Sequence, residues 1–364
     1  MRIAILCHMH HPIRQPYQGG TEAHTAMLAD ALVARGHDVT LYAKEGSESR
    51  ARIISLVPAD FDFVNAASPH VREQQRGFLA EAAYRSIQLI AAGRYDAVIN
   101  NSLSSLPFRS LRDRPMLTVL HTPATLADVT AVLSHPLWQP SIHHGYATVS
   151  QANAVSWRHL LPQVEIVPNG IDLGRWTSTT APRPGVAVWA ARITPEKGLH
   201  VAIDAARRAG FRLEFGGPVS SPSYWAERIV PLLGDDVVHR GHLGHDELPA
   251  FLASGAAFIA SPLWAEPFGL SVVEAMAVGT PVAALPNGAL PEIVTPQAGA
   301  LADSDDPGSL AHAIVAASGR DREAVARTAS AYSVDAMVDG YESILDRLVS
   351  RSRSADGAAD LQNA

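Results

Sequence analysis

PLWAEPFGLSVVEAMAVGTP, residues 262–281, opens as a loop carrying Pro, Trp and Glu and becomes helix-like near Ser271. Gly279 and Pro281 are ordinary helix-stop residues. Two acids bracket the turn, Glu266 before the helix and Glu274 one turn inside it. A helix start presents unpaired backbone N–H groups and the positive end of the helix dipole, so it attracts an anionic ligand group. Gly269 lets a backbone or a ligand approach closely. Glu274 could then accept hydrogen bonds from vicinal hydroxyls such as those of a ribose, and Glu266 could do the same for a sugar. The spacing Ser271 to Glu274 is equally that of a capping box, a purely structural device.

Outward from this stretch, short apolar runs alternate with helix-like ones. RIAILC (2–7), DVTLYA, RIISLV, DAVIN, MLTVLH, YATVS and VEIVP are strand candidates in the first half. The pattern restarts after Pro184 with GVAVWAAR, RLEFGG, VVHRG, AAFIAS and PVAAL. Strand–helix alternation of this kind predicts an α/β protein with parallel sheets covered by helices on both faces. Two such series in 364 residues predict two Rossmann-like domains, 1–168 and 169–332. The junction falls in VPNGIDLGRWTSTTAPRPG (167–185), rich in Pro, Gly, Ser and Thr. A last helix over 333–350 carries Val334, Met337, Val338, Tyr341, Ile344, Leu345 and Leu348 at helical spacing. Residues 351–364 have no apolar periodicity and read as a disordered tail.

Composition narrows the function. Hydrophobic residues make up 47% and the net charge is −7, which disfavours nucleic acid as a partner. The lone cysteine, Cys7, rules out an intrachain disulfide and suits a reducing cytoplasm. No run of about 18 apolar residues offers a membrane span. Of 29 basic residues only Lys44 and Lys197 are lysines, so each marks a place where a compact ammonium is wanted.

In open α/β sheets ligands bind at the carboxyl ends of strands, which directs attention to the loops that follow them. WAARITPEKG (189–198) places Arg192 at a strand end and Lys197 five residues on, a planar fork and a point charge suited to phosphate. YQGGTEAHT (17–25) places Gly19 and Gly20 before a helix, where a phosphate or sugar could approach, although the G-x-G-x-x-G fingerprint is absent. His121 ends the strand LTVLH. His8, His10 and His11 lack the partner spacing of a zinc site.

EPFGLSVVE, with the following AMAVGTPVAA and GALPEIV, resembles the E-x7-E region of glycosyltransferase family 4. RITPEKG, VPNGID and GGTEAHTAMLADALVARGHDVTLYA are similar to that family too, in the same order along the chain. The resemblance implies a GT-B fold. Two Rossmann-like domains would face each other across a cleft, an acceptor-binding domain first and a donor-binding domain second. The last helix would cross back onto the first domain.

It also implies roles. Glu266 would contact donor-sugar hydroxyls, Phe268, Gly269, Leu270 and Ser271 would line sugar and diphosphate, and Glu274 would hold the ribose. Arg192 and Lys197 would neutralise the leaving diphosphate. His121 would lie beside the reacting sugar, and Gly19 and Gly20 would approach the phosphates. Asn169 and Asp172 of the NGID segment would be structural.

The implied activity is that of a retaining hexosyltransferase. It would use a nucleotide-diphosphate sugar, UDP-glucose first among candidates, and a hydroxyl acceptor by front-face transfer. No cofactor is expected, and no metal: the Asp-x-Asp run Asp60–Phe61–Asp62 lies outside the donor half. The acceptor would be a small molecule, a saccharide or a lipid-linked sugar. FRSLRDRP (108–115) is the only dense basic stretch on the first half, which makes membrane association unlikely. Another GT-B enzyme, such as a sugar-nucleotide epimerase or a phosphorylase, and a non-catalytic sugar-nucleotide-binding protein are the alternatives.

Overall fold

The computed structural model describes residues 1–62, 68–161 and 163–362, with side chains as far as residue 355. It divides into two compact units. The first comprises 1–149, 154–167 and 335–364; the second comprises 150–153 and 168–334.

The first unit is built on a seven-stranded sheet. Its strands are β1 (Arg2–Cys7), β2 (Asp38–Tyr42), β3 (Arg52–Ile54), β4 (Ala97–Asn101), β5 (Met116–Leu120), β6 (His144–Thr148) and β7 (Glu165–Ile166). The order is β3-β2-β1-β4-β5-β6-β7, and every pairing is parallel. A parallel sheet needs cover on both faces, which is why its strands read as continuous apolar runs. Ile3, Ala4, Ile5 and Leu6 are fully buried, and Val98, Met116, Tyr146 and Trp157 pack into the core with them or nearby.

Strand order reverses direction between β1 and β4. A reversal of this kind opens a crevice at the carboxyl ends of the two strands, the usual ligand position in such sheets. His8 follows β1, and Asn101 ends β4.

The second unit repeats the logic with six strands. They are β8 (Arg183–Ala190), β9 (Arg212–Gly216), β10 (Val237–His239), β11 (Gly255–Ala260), β12 (Val282–Ala284) and β13 (Gly299–Leu301). The order is β10-β9-β8-β11-β12-β13, again wholly parallel. Its reversal lies between β8 and β11, the strands that precede Arg192 and Glu266. Trp189, Phe215, Leu199, Ile203 and Ile314 fill the core against one face. Strand β13 has only three residues, Gly-Ala-Leu, too few for an alternation to be read, and the sequence analysis does not find it.

The carboxy-terminal helix, Val334–Gln362, belongs with the first unit from Asp335 onward. Met337, Val338, Tyr341, Ile344, Leu345 and Leu348 are all buried, the stripe expected from their spacing. Two glycines admit it closely: a Cβ on Gly145 would stand 3.1 Å from Leu348 Cδ1, and one on Gly340 would stand 3.0 Å from Val167 Cγ1. Arg35 holds its first turns through Asp335, Asp339 and Glu342, and His37 Nε2 lies 2.8 Å from Glu342 Oε1.

The helix does not stop at 350, so the disordered tail expected from 351 is corrected as far as Gln362. Polar contacts carry it on: Arg351 donates to the His144 carbonyl at 3.0 Å, and Ser352 Oγ lies 2.9 Å from His143 Nδ1. Apolar periodicity does not register such anchors. Positions 363 and 364 of that tail lie outside the described residues.

Candidate active site

The loops after β8 and β11 of the second unit are tied together before any side chain takes part. Leu263 N–H donates to the Glu196 carbonyl at 2.8 Å. Ser261 Oγ accepts from Trp189 Nε1 at 3.1 Å and lies 3.1 Å from both the Lys197 and Gly198 carbonyls. Gly198 has φ +66°, and a Cβ there would sit 2.0 Å from the Ser261 carbonyl oxygen, so only glycine fits.

This bracing delivers Lys197, on the 3₁₀ turn Pro195–Lys197, to Glu266. Lys197 Nζ meets Glu266 Oε2 at 2.5 Å, and Trp264 Nε1 donates to the same oxygen at 3.0 Å. The ammonium also stands 5.2 Å from the Trp264 ring centroid, within cation–π range. Both donors fall on Oε2, which leaves Oε1 open among the described residues. Lys197 and Glu266 retain only 18% and 12% of their side-chain exposure, so little water screens the pair.

A second brace presses on the Glu266 backbone. Gly288 has φ +63°, and a Cβ there would lie 2.2 Å from the Glu266 carbonyl oxygen. Ala289 N–H donates to that same oxygen at 2.8 Å. Asn287 Nδ2 donates to the Pro262 carbonyl at 2.8 Å and to Asp305 Oδ1 at 3.0 Å. The segment Asn287–Ala289 thus fixes the loop that carries Glu266. In the sequence Trp264 reads only as a loop residue and Gly288 and Ala289 only as part of GALPEIV; spacing gives none of them a role at Glu266.

Helix Leu270–Ala277 begins one residue before the expected Ser271. Its N-cap is Gly269 at φ +97°, with no side-chain cap hydrogen bond. The capping-box alternative is therefore corrected: Ser271 lies inside the helix and does not cap it. No side chain caps this start, and Val272 N–H turns back to the Gly269 carbonyl at 3.0 Å, which leaves the N–H groups of Leu270 and Ser271 as the ones a ligand could take. Phe268 is buried with its ring 5.6 Å from Tyr332, so its backbone, and not its ring, is what the turn offers. Glu274 is half-buried and has no hydrogen-bond or ionic partner among the described residues. Burial pushes its carboxyl up to about 8. Arg192 is exposed just past β8, with no acidic partner among the described residues.

The first unit gathers a different group at its own reversal point. His121 follows β5 and is buried, with Nε2 3.3 Å from Asn101 Oδ1 and its ring 4.6 Å from that of His24. Burial, then the neighbouring His24 and His8, push its pKa well below the ordinary imidazole value, so the ring is neutral at pH 7. His8 Nε2 lies 3.5 Å from Glu22 Oε1, both buried. Gly19 caps helix Gly20–Ala34 in extended conformation, and a Cβ on it would stand 3.1 Å from Glu22 Oε2. His24 and Asn101 are the neighbours that spacing alone could not associate with His121, since they come from helix Gly20–Ala34 and from the end of β4.

Other expectations resolve as structure. Lys44, the second lysine, is buried, donates to the Phe61 carbonyl and pairs with Asp62 at 3.7 Å. The Asp60–Phe61–Asp62 run thus serves as its anchor. Asn169 is buried, and Asp172 Oδ1 accepts from Gly174 N–H at 3.1 Å. Arg112 and Arg114 donate to the carbonyls of Gln139 and Ala91, at 3.1 and 2.6 Å. Among the described residues no helix is long and apolar enough to cross a membrane, and no three His, Cys, Asp or Glu converge as metal ligands.

Comparison with known proteins accords with this geometry. The profile described as Glycosyltransferase Family 4 matches residues 18–175, and that described as Glycosyl transferases group 1 matches 184–319. An MMP alpha-(1->4)-mannosyltransferase of Mycolicibacterium hassiacum is 27% identical, over 81% of this chain and 84% of its own. A D-inositol 3-phosphate glycosyltransferase of Mycolicibacterium smegmatis is 26% identical, over 93% of this chain and 90% of its own. The crystal structure of Anabaena Alr3699/HepE in complex with UDP-glucose superposes with a TM-score of 0.69 at 18% identity, over 96% of this chain and all of that one (100%). Two parallel-sheet units, each with a strand-order reversal, have the GT-B fold of such solved structures, and the two profiles make the chain a glycosyltransferase. The chain belongs to glycosyltransferase family 4.

Proposed function

We propose that this glycosyltransferase is a retaining hexosyltransferase that takes its sugar from a nucleotide diphosphate, UDP-glucose first among candidates. The observation that carries the reading is the uncapped start of helix Leu270–Ala277 with Lys197 and Glu266 on one side and Glu274 on the other. The helix start and the Arg192 and Lys197 cations suit a diphosphate. Glu266 Oε1 and the unpartnered Glu274 suit hydroxyl groups, of the sugar and the ribose respectively. The UDP-glucose bound to the Anabaena neighbour supports the choice of first donor. The mannosyl and inositol-phosphate relatives keep GDP-mannose, UDP-N-acetylglucosamine and a small polyol or saccharide acceptor on the same list.

In this mechanism the anomeric C–O bond to the diphosphate breaks while the acceptor oxygen approaches the same face. The departing phosphate oxygen takes the acceptor's proton, and its growing charge is met by Lys197, Arg192 and the helix start. His121, neutral, supports the reacting sugar, and Gly19 and Gly20 leave room for phosphate. The first unit would then bind the acceptor and the second the donor. Glu266 is held by Lys197 and Trp264, so it binds and does not attack.

Two cations and a helix end can stabilise the leaving group without a metal. The test is turnover of a nucleotide-sugar panel with simple polyol and saccharide acceptors, in EDTA, with the product's anomeric configuration read by NMR. An α-linked product from an α-linked donor, formed in EDTA, supports the reading. A β-linked product, or activity only with added divalent metal, overturns the corresponding part of it.

A further inference from the structure

The first unit contains a cavity of about 840 Å³ that the reaction does not use. It is lined by residues that precede β6 and β7, among them Trp138, Ile142, Leu161 and Gln163, and by Leu348 and Arg351 of the carboxy-terminal helix. Residues that precede parallel strands lie at the opposite end of the sheet from those that follow them. The cavity is therefore distant, within this unit, from the group around His121.

Its origin is visible in the sheet. Strand β7 pairs only with Ala147 and Thr148, so the first half of β6, His144–Tyr146, is paired with β5 on one side and has no strand on its β7 side. The cavity occupies that place. Its size lies in the roughly 300–1,000 Å³ range of small-molecule sites.

The lining combines an apolar body with a cationic end. Trp138, Leu161, Val164, Ile344 and Leu348 supply the apolar walls. Arg347 is neutralised by Glu165. Arg351 spends one N–H on the His144 carbonyl and has no acidic partner among the described residues. Tyr146 also lines the cavity, and its buried hydroxyl has no hydrogen-bond partner among the described residues. One exposed guanidinium without an acidic partner among the described residues, beside these apolar walls, calls for one negative charge on an apolar body.

We propose that this cavity binds a small amphipathic organic anion, an aromatic or alicyclic carboxylate, at a site separate from that of the nucleotide sugar. The inference stands independently of the donor assignment.

The test uses the full chain and 2-naphthoate, followed by isothermal titration calorimetry. One-to-one binding is expected, at least tenfold tighter than for the neutral 2-naphthamide and unchanged in saturating UDP. Arg351→Glu should weaken it at least tenfold. Gln163→Trp, a change at an exposed lining residue that fills the chamber, should abolish it while leaving the fold intact by circular dichroism. No binding at millimolar naphthoate, equal affinity for the amide, unchanged binding in both variants, or displacement by UDP would each overturn the proposal.

Discussion

Glu274 is the residue whose chemistry differs most from its ordinary state. A carboxyl raised by burial from 4.5 to about 8, with no partner among the described residues, suits the ligand-binding role proposed for it. The native state holds its proton where the unfolded chain has lost it. The associated stability is therefore full below pH 4.5 and declines as pH rises through about 8. Glu274→Gln should flatten this decline in a series of thermal unfolding curves between pH 5 and 8.5; an unchanged slope would contradict the assignment. The same substitution should weaken donor binding by roughly 1–3 kcal/mol, because ribose hydroxyls lose one of the carboxyl's two oxygens as a hydrogen-bond partner. Lys197 has the opposite character, since its partner Glu266 is present before any donor arrives. Lys197→Ala should lower kcat more than it raises the donor Kd, because the leaving-group charge grows only in the transition state. Equal losses in both would reduce Lys197 to a binding contact.

At the scale of elements, the site depends on three backbone devices: Gly198, Gly269 and Gly288. Each has positive φ, and at Gly198 and Gly288 a Cβ would also stand within 2.2 Å of a carbonyl oxygen. Gly288→Ala should cost more than the roughly 1–3 kcal/mol of a strained dihedral alone, because the Glu266 backbone must also move. Thermal unfolding with donor titration checks this, and a loss of donor affinity should accompany the loss of stability.

The elements themselves were largely legible. Parallel strands buried on both faces announce themselves as apolar runs, and the E-x7-E spacing fixes where a helix must begin. What the sequence hid were contacts between separated elements. The Trp264–Glu266–Lys197 cluster and the His8–Glu22 and His24–His121 contacts depend on strand order, which spacing does not encode. The capping-box reading failed for a related reason: a positive-φ glycine had already set the helix start two residues earlier.

At the scale of the molecule, the two units repeat one plan, a parallel sheet with its ligand-facing loops at a strand-order reversal. The first unit is completed by residues more than 180 positions further along the chain than most of its sheet, since the carboxy-terminal helix supplies seven buried apolar side chains to it among the described residues. Tyr341→Ala should destabilise the first unit by about 3–5 kcal/mol, as truncation of a large buried aromatic does. Unfolding followed by hydrogen exchange should place that loss in the first unit, and a loss confined to the second would contradict the assignment of the helix. The central claim is that the second unit holds a nucleotide-sugar donor at the start of helix Leu270–Ala277. Calorimetric titration of the full chain with UDP, GDP and ADP and their glucose and mannose conjugates, in EDTA, tests it most directly. Saturable binding of one nucleotide family, weakened in Glu274→Gln, is the expected result. Absence of binding throughout the panel, or equal binding in the variant, would contradict it.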